Sequence, residues 1–147
     1  MFAIVLLFHL IGAVVWLGGM AFVLFALRPA ALAILEPPLR PRLLLGALER
    51  FFPLVWGSIA LLFASGGALF ARAGPSAPPG WHAMMGIGLL MAAIFAHIYF
   101  APYRGARRAA AAQDWPALGR ALQRIHPLVQ VNFALGWIAV ACVLFWR

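Results

Sequence analysis

The side chains of this sequence that could do chemistry in an apolar setting are imidazoles. Ionisable groups are costly inside a membrane and typically mark a function there, and a neutral imidazole nitrogen is a ligand for iron and copper. The carboxylates lie between the apolar runs, so no carboxylate pair is available for acid–base catalysis. Ser58 and Ser65 have no base near them in the sequence, so we expect no nucleophilic hydrolysis. The four candidates are His9, His82, His97 and His126.

Four apolar runs must position these histidines. They cover about residues 2–27, 51–71, 81–103 and 127–146. At about 1.5 Å per residue, each run crosses most or all of a hydrocarbon core of about 30 Å. Backbone polar groups in lipid are satisfied only in helices or closed barrels, and uninterrupted runs of this length predict helices. We therefore predict an all-α integral membrane four-helix bundle, forming a single domain over residues 1–147.

Composition excludes the two main alternative classes. The chain is 66% hydrophobic and 10% charged, against about 25% charged in soluble domains, so it is neither a water-soluble globule nor a disordered chain. The net charge of +8 comes from arginine alone, and a basic balance can indicate nucleic acid. Here the arginines lie between apolar runs, so we expect no nucleic-acid partner. The single cysteine, Cys142, allows no internal disulfide.

The arginines are distributed unevenly among the connections. Residues 28–50 and 104–126 hold nine of the eleven, whereas residues 72–80 hold only Arg72. The positive-inside rule places the first and third connections in the cytoplasm and both termini outside, in a bacterial-type inner (plasma) membrane. The first run has no basic n-region and no small-x-small cleavage site, so we predict a helix and not a signal peptide. The segments Leu39–Arg50 and Asp114–Ile125 have leucine at helical spacing, so we expect both connections to be partly helical, with Asp114 as an N-cap. Pro127 is a predicted helix start.

This orientation sorts the histidines into two layers. His9 and His82 fall in the outer layer, and His97 and His126 in the inner one. His82 and His97 are fifteen residues apart, hence separated by about 22 Å in depth and about 60° around the helix. Such pairs predict axial ligands for one or two b-type haems. The alternatives are that His82 anchors the helix at the lipid–water boundary with Trp81, that His126 caps a helix start or is exposed, and that His9 and His97 are structural histidines held by hydrogen bonds.

A copper site is the competing prediction for the outer layer. The segment Trp81-His82-Ala83-Met84-Met85 places two thioethers beside an imidazole. Thioether and imidazole ligands suit Cu(I), although methionine is also a common filler of apolar cores. The predicted metal ligands are His82, Met84, Met85 and His9, and Met1 could join them.

Several of these segments resemble the CopD superfamily, which includes the membrane domain of copper-resistance protein D and the HemJ-type protoporphyrinogen oxidases. Phe8–Met20 resembles the first helix of that group, and Gly80-Trp81-His82 followed by His97-Ile98-Tyr99 resembles the third. The spacing Arg124…Asn132…Gly136 resembles the last helix of the copper-resistance members. The resemblance implies a plasma-membrane protein with His9 and His97 as leading metal or haem positions and His82 next.

The third helix departs from the HemJ-type pattern. Those proteins carry a His-x-Lys motif, whereas Ala83 and Met84 follow His82 here and the chain has no lysine. The copper-resistance branch is therefore the closer match. We expect a protein that handles copper or binds haem b, in copper homeostasis or membrane electron transfer; as an enzyme it would be a haem-dependent oxidoreductase. The alternative is a non-catalytic subunit that docks a partner through its arginine-rich face. Expected partners are the lipid bilayer, a redox protein and further copies of the chain.

Overall fold

Four long helices make up the computed structural model, which describes residues 2–146. Each is long and apolar enough to cross a membrane, and the described chain contains no strand. The prediction of an all-α membrane protein with four spanning helices is confirmed. The helices are α1 (Phe2–Ile34), α2 (Leu39–Ser76), α3 (Pro79–Ala111) and α4 (Trp115–Phe145).

The helices extend well beyond the apolar runs at one end of the bundle. α2 begins at Leu39, and α4 begins at Trp115, because arginine and leucine form helix readily outside the hydrocarbon. The N-cap prediction is confirmed, since Asp114 Oδ1 accepts the Ala117 N–H at 2.9 Å. The prediction that Pro127 starts a helix is wrong: it lies inside α4, where a membrane helix tolerates proline. We call this end the arginine-rich end and the opposite one the arginine-poor end.

Two helices contain a π-helical turn, each beside a proline. In α1 the turn is Val23–Leu27, two residues before Pro29, and in α3 it is Tyr99–Tyr103, which contains Pro102. A proline has no N–H to bond to the carbonyl four residues back. A π turn, with one extra residue, is one way in which a helix accommodates such a gap.

The bundle consists of two helical hairpins. α1 packs mainly on α2, and α3 mainly on α4. Small residues allow close approach within each hairpin: Gly12 is buried, and a Cβ there would lie 3.2 Å from the Ser58 carbonyl oxygen. At the arginine-poor end, Gly80 N–H donates to the Trp146 carbonyl at 3.0 Å. A Cβ on Gly80 would overlap the backbone carbonyl of Cys142.

Aromatic side chains close the space between the hairpins from mid-bundle towards the arginine-rich end. Phe52 and Phe95 are buried and meet edge to face at 5.1 Å between ring centroids, and Tyr103 lies 4.7 Å from Phe52. Trp56 and Tyr99 extend the same cluster. Many large aliphatic and aromatic side chains are exposed on the outside of the bundle, as expected for a protein whose outer surface faces lipid. The arginine-poor half is packed less fully between the hairpins.

The close approach at Gly80 gives a stability prediction with a matched control. We expect Gly80→Ala to destabilise the protein by about 1–3 kcal/mol, because its neighbours there are backbone atoms that cannot move aside. In contrast, Gly86→Ala should be neutral or stabilising by up to about 1 kcal/mol, because a Cβ at Gly86 meets open space. Thermal unfolding in one detergent, followed by circular dichroism, measures both. A Gly80→Ala midpoint at or above wild type would contradict this account.

Candidate functional site

A cavity of about 350 Å³ lies between the two hairpins in the arginine-poor half, and all four helices line it. Most of its wall is aliphatic, aromatic or glycine. Only a few lining side chains carry a nitrogen or sulfur atom. These are His9, Trp16, Trp81, Met84, Met85 and Met91. We call this space the His9 cavity.

His9 is held in one orientation by Ser65 of α2. The His9 Nδ1 atom lies 3.0 Å from Ser65 Oγ. Ser65 is buried, and its hydroxyl donates to the Leu61 carbonyl one turn back at 2.6 Å. A hydroxyl has one proton to donate, so Ser65 must accept from His9. The imidazole is therefore protonated at Nδ1 and has its lone pair on Nε2.

A neutral histidine binds a metal through its unprotonated ring nitrogen, which in His9 is Nε2. Metal-ligating histidines typically donate their other ring N–H to an oxygen, which fixes the tautomer and the ring orientation. Ser65 supplies that oxygen here. Gly66 leaves room for the ring, since a Cβ on Gly66 would lie 3.2 Å from His9 Cε1. His9 is thus oriented like a ligand before any ion is bound.

The sequence offered no base for Ser65, and the structure corrects that expectation by placing His9 beside it. This pairing still does not activate the serine as a nucleophile. The Ser65 proton goes to the Leu61 carbonyl, and His9 donates its own proton to the serine oxygen. Hydrolysis by a serine–histidine pair needs the opposite arrangement, with the imidazole accepting the hydroxyl proton.

Three methionines of α3 complete the chemically distinctive wall. Met84 and Met85 were predicted as ligands, and both line the His9 cavity. Met91 also lines it and was not singled out from the sequence. Its spacing of seven residues from Met84 places the two on the same face, two turns apart, which is the signal that could have identified it. Met1 lies outside the described residues.

The other predicted outer ligand, His82, does not line the His9 cavity. It is exposed, and its Nδ1 donates to the Pro78 carbonyl at 3.3 Å. Its ring meets Phe70 edge to face at 4.8 Å, while the preceding Trp81 turns into the cavity. Trp81, the partner of His82 in the boundary-anchor alternative, lines the cavity instead, and that alternative stays a prediction for His82.

The two inner histidines lie elsewhere. His97 is exposed on the surface of α3, and His126 is half-buried beside a second cavity at the arginine-rich end. Neither lines the His9 cavity. An axial haem pair needs two imidazoles facing one space, and within residues 2–146 the structure does not bring His9 and His97 together in that way. The haem-ligand assignment remains a prediction that the described geometry does not favour.

Asn132 of α4 links the two helices of the second hairpin, next to the cavity on the side of the arginine-rich end. It is buried, and its Nδ2 donates to the backbone carbonyl of Met91 at 3.2 Å. Gly136, one turn further along α4, lines the cavity and packs against Leu17 of α1. The Asn132 contact therefore fixes the helix segment that carries Met91.

A metal in the His9 cavity would depend on methionine sulfur. No group of three histidine, cysteine, aspartate or glutamate side chains converges anywhere in residues 2–146. His9 supplies one nitrogen, and the other donors in the wall are the three thioethers and the two indoles. An indole nitrogen is a donor only and does not ligate.

The fold and this cavity define a four-helix integral membrane protein with a candidate metal site of one imidazole and several thioethers. Residues 45–146 match the CopD family, described as copper resistance protein D, and the chain belongs to that family. The matched region covers most of α2 and all of α3 and α4, so it includes Ser65 and the methionines but not His9. No curated protein and no solved structure matches the chain.

The Ser65 contact predicts a single imidazole tautomer. In protein labelled with ¹⁵N at histidine, we expect the neutral His9 ring to be protonated at Nδ1, because Ser65 can only accept from it. Nitrogen chemical shifts report the tautomer directly. Ser65→Ala should move the His9 signals towards a mixture of tautomers. Ser58→Ala, a buried serine of the same helix, should leave them unchanged. A wild-type ring protonated at Nε2 would contradict the assignment.

Proposed function

We propose that this CopD-family protein binds Cu(I) as its cargo in the His9 cavity and serves copper handling at the outer side of a bacterial-type inner membrane. The observation that carries the proposal is the shared wall: an imidazole with its Nε2 lone pair free lies in the same cavity as the three thioethers of α3. Copper here is what the protein handles, and family membership supports that choice of metal.

The ligand chemistry favours Cu(I) over divalent ions. Thioethers are soft ligands that select Cu(I), whereas carboxylates and carbonyls suit magnesium, calcium and manganese. No carboxylate is among the residues that line the His9 cavity. The cost of moving an ion from water into an apolar wall rises steeply with its charge. A monovalent ion held by neutral ligands is therefore the cation best suited to this environment.

The arginine distribution indicates on which side of the membrane the proposed site lies. The positive-inside rule assigns the arginine-rich end to the cytoplasm, so the His9 cavity lies in the outer half of the bundle. Towards the other side, the aromatic cluster around Phe52 and Phe95 fills the interior. This conformation suits capture of the ion from outside, and passage to the cytoplasm would require the cluster to open.

His9 and His97 provide a matched pair of substitutions. We expect His9→Gln to weaken Cu(I) binding by about 100-fold or more, because it removes a direct ligand, whereas loss of an outer-shell partner typically costs 10–100-fold. His97→Gln removes an exposed imidazole from the same protein and should have little effect. Affinity is measured in detergent by competition with a chromophoric Cu(I) chelator. Equal loss in both variants, or loss only in His97→Gln, would overturn the proposal and favour a site that contains His97.

The methionines give a second test. Met84→Leu/Met85→Leu preserves the size and apolar character of both side chains but removes two sulfur atoms, so we expect at least about a tenfold weaker affinity for Cu(I). Met20→Leu is the control, because Met20 is buried in the core and does not line the cavity. Cells that depend on the protein for copper tolerance should lose it with the double variant only. Unchanged affinity and tolerance in the double variant would refute thioether ligation.

A further inference from the structure

A second cavity, of about 270 Å³, lies at the arginine-rich end between α1, α2 and α4. It shares no lining residue with the His9 cavity. Its wall combines several cationic or hydrogen-bonding side chains with many aliphatic ones. The members with a charge or a hydrogen-bonding group are Arg28, Arg40, Trp115, Gln123 and His126.

The charged side chains that line this cavity are all cationic. Arg28 and Arg40 are both half-buried, and no carboxylate is among the lining residues. Glu49 pairs with Arg107 at 3.7 Å, and Asp114 caps α4. None of the three side-chain carboxylates of the sequence, Glu36, Glu49 and Asp114, lines the cavity.

Arg40 is oriented by its own backbone. Its Nε donates to the Leu35 carbonyl at 2.7 Å, across the connection between α1 and α2. A guanidinium has five N–H donors, so the terminal nitrogens remain available for a ligand. Arg28 follows directly on the π turn Val23–Leu27, and turns of this kind occur frequently at functional sites. Two guanidinium groups from different helices thus converge on one space.

The rest of the wall is apolar. Val23 and Leu32 of α1, Leu44 of α2, and Leu122 and Val129 of α4 contribute aliphatic surface. Leu32 is also exposed on the outer surface of the bundle. The cavity therefore presents cationic donors and an aliphatic wall side by side, and it lies at the end of the helices, where lipid headgroups are found.

We propose that this cavity binds an anionic phospholipid, with its phosphate between Arg28, Arg40 and His126 and an acyl chain along the aliphatic wall. Arginine pairs with phosphate through two parallel hydrogen bonds, and basic pockets between membrane helices on the cytoplasmic side bind anionic headgroups. A free phosphate would use the arginines but leave the aliphatic wall without a partner. The same wall argues against an acidic protein segment, which would be recognised by its charge.

The ligand preference is tested on the whole protein in detergent. Short-chain phosphatidylglycerol should raise the thermal midpoint, because a ligand that binds only the folded state stabilises it. The same concentration of short-chain phosphatidylcholine should have a much smaller effect, and inorganic phosphate almost none. An equal response to phosphatidylcholine would overturn the charge argument, and an equal response to phosphate would overturn the lipid assignment.

Two pairs of variants locate the site. Arg28→Gln/Arg40→Gln should lower the fraction of protein that retains phosphatidylglycerol in native mass spectrometry by about tenfold or more. Arg108→Gln/Arg120→Gln removes the same charge from exposed positions outside the cavity and should retain the lipid. Equal retention by the two double variants would overturn the proposal.

The second pair blocks the space without removing charge. Gly119 lines the cavity, and a Cβ there meets open space, so Gly119→Phe should fill it and displace the lipid. Gly105→Phe is the control, because Gly105 also faces open space but does not line the cavity. Retention of phosphatidylglycerol by folded Gly119→Phe would place the lipid elsewhere and overturn the assignment. Each variant is expected to bind Cu(I) normally, so failure here leaves the copper proposal standing.

Discussion

A serine hydroxyl has a single proton, and in this bundle Ser65 donates it to the carbonyl of Leu61 in its own helix. That bond determines the rest of the site. With its proton engaged, Ser65 can only accept from His9, and the imidazole must then have its lone pair on Nε2. A bond internal to α2 thus determines the chemical state of a residue on α1.

The architecture separates this site from the part of the molecule that holds it together. Each hairpin is joined internally by small residues, such as Gly12 in the first and Gly80 in the second. The aromatic cluster around Phe52 and Phe95 then joins the hairpins near the middle. A cavity lies on either side of that cluster, one towards each end of the bundle. The two cavities differ in chemistry because arginine is concentrated at one end of the bundle.

Hydropathy was sufficient to predict the four membrane helices, because lipid leaves the backbone few alternatives. It did not predict where the helices end, since the arginine-containing segments from Leu39 and from Trp115 are helical without being strongly apolar. The position of Pro127 was also misassigned. Proline is favoured at the start of a helix but is also tolerated inside a membrane helix, and the sequence alone does not distinguish the two cases.

Part of the site could be predicted from the sequence and part could not. The helical period explains why Met84 and Met91 line the His9 cavity whereas His82 and His97 do not. Depth alone grouped His9 with His82, but facing a common cavity also depends on direction around the helix. Counting about 100° per residue, Met84 and Met91 point to nearly the same side of α3, whereas His82 and His97 point away from it. The methionine face was therefore present in the spacing. The contact with Ser65 was not, because it depends on how α1 packs against α2.

Each π turn inserts one residue more than a regular helical turn would hold, so it shifts the angular phase of everything beyond it by about 100°. In α1 this shift falls between the segment that carries His9 and the segment that carries Arg28. The residues before and after the π turn therefore follow two helical registers that differ by a fixed angle, and the same continuous helix contributes His9 to one cavity and Arg28 to the other.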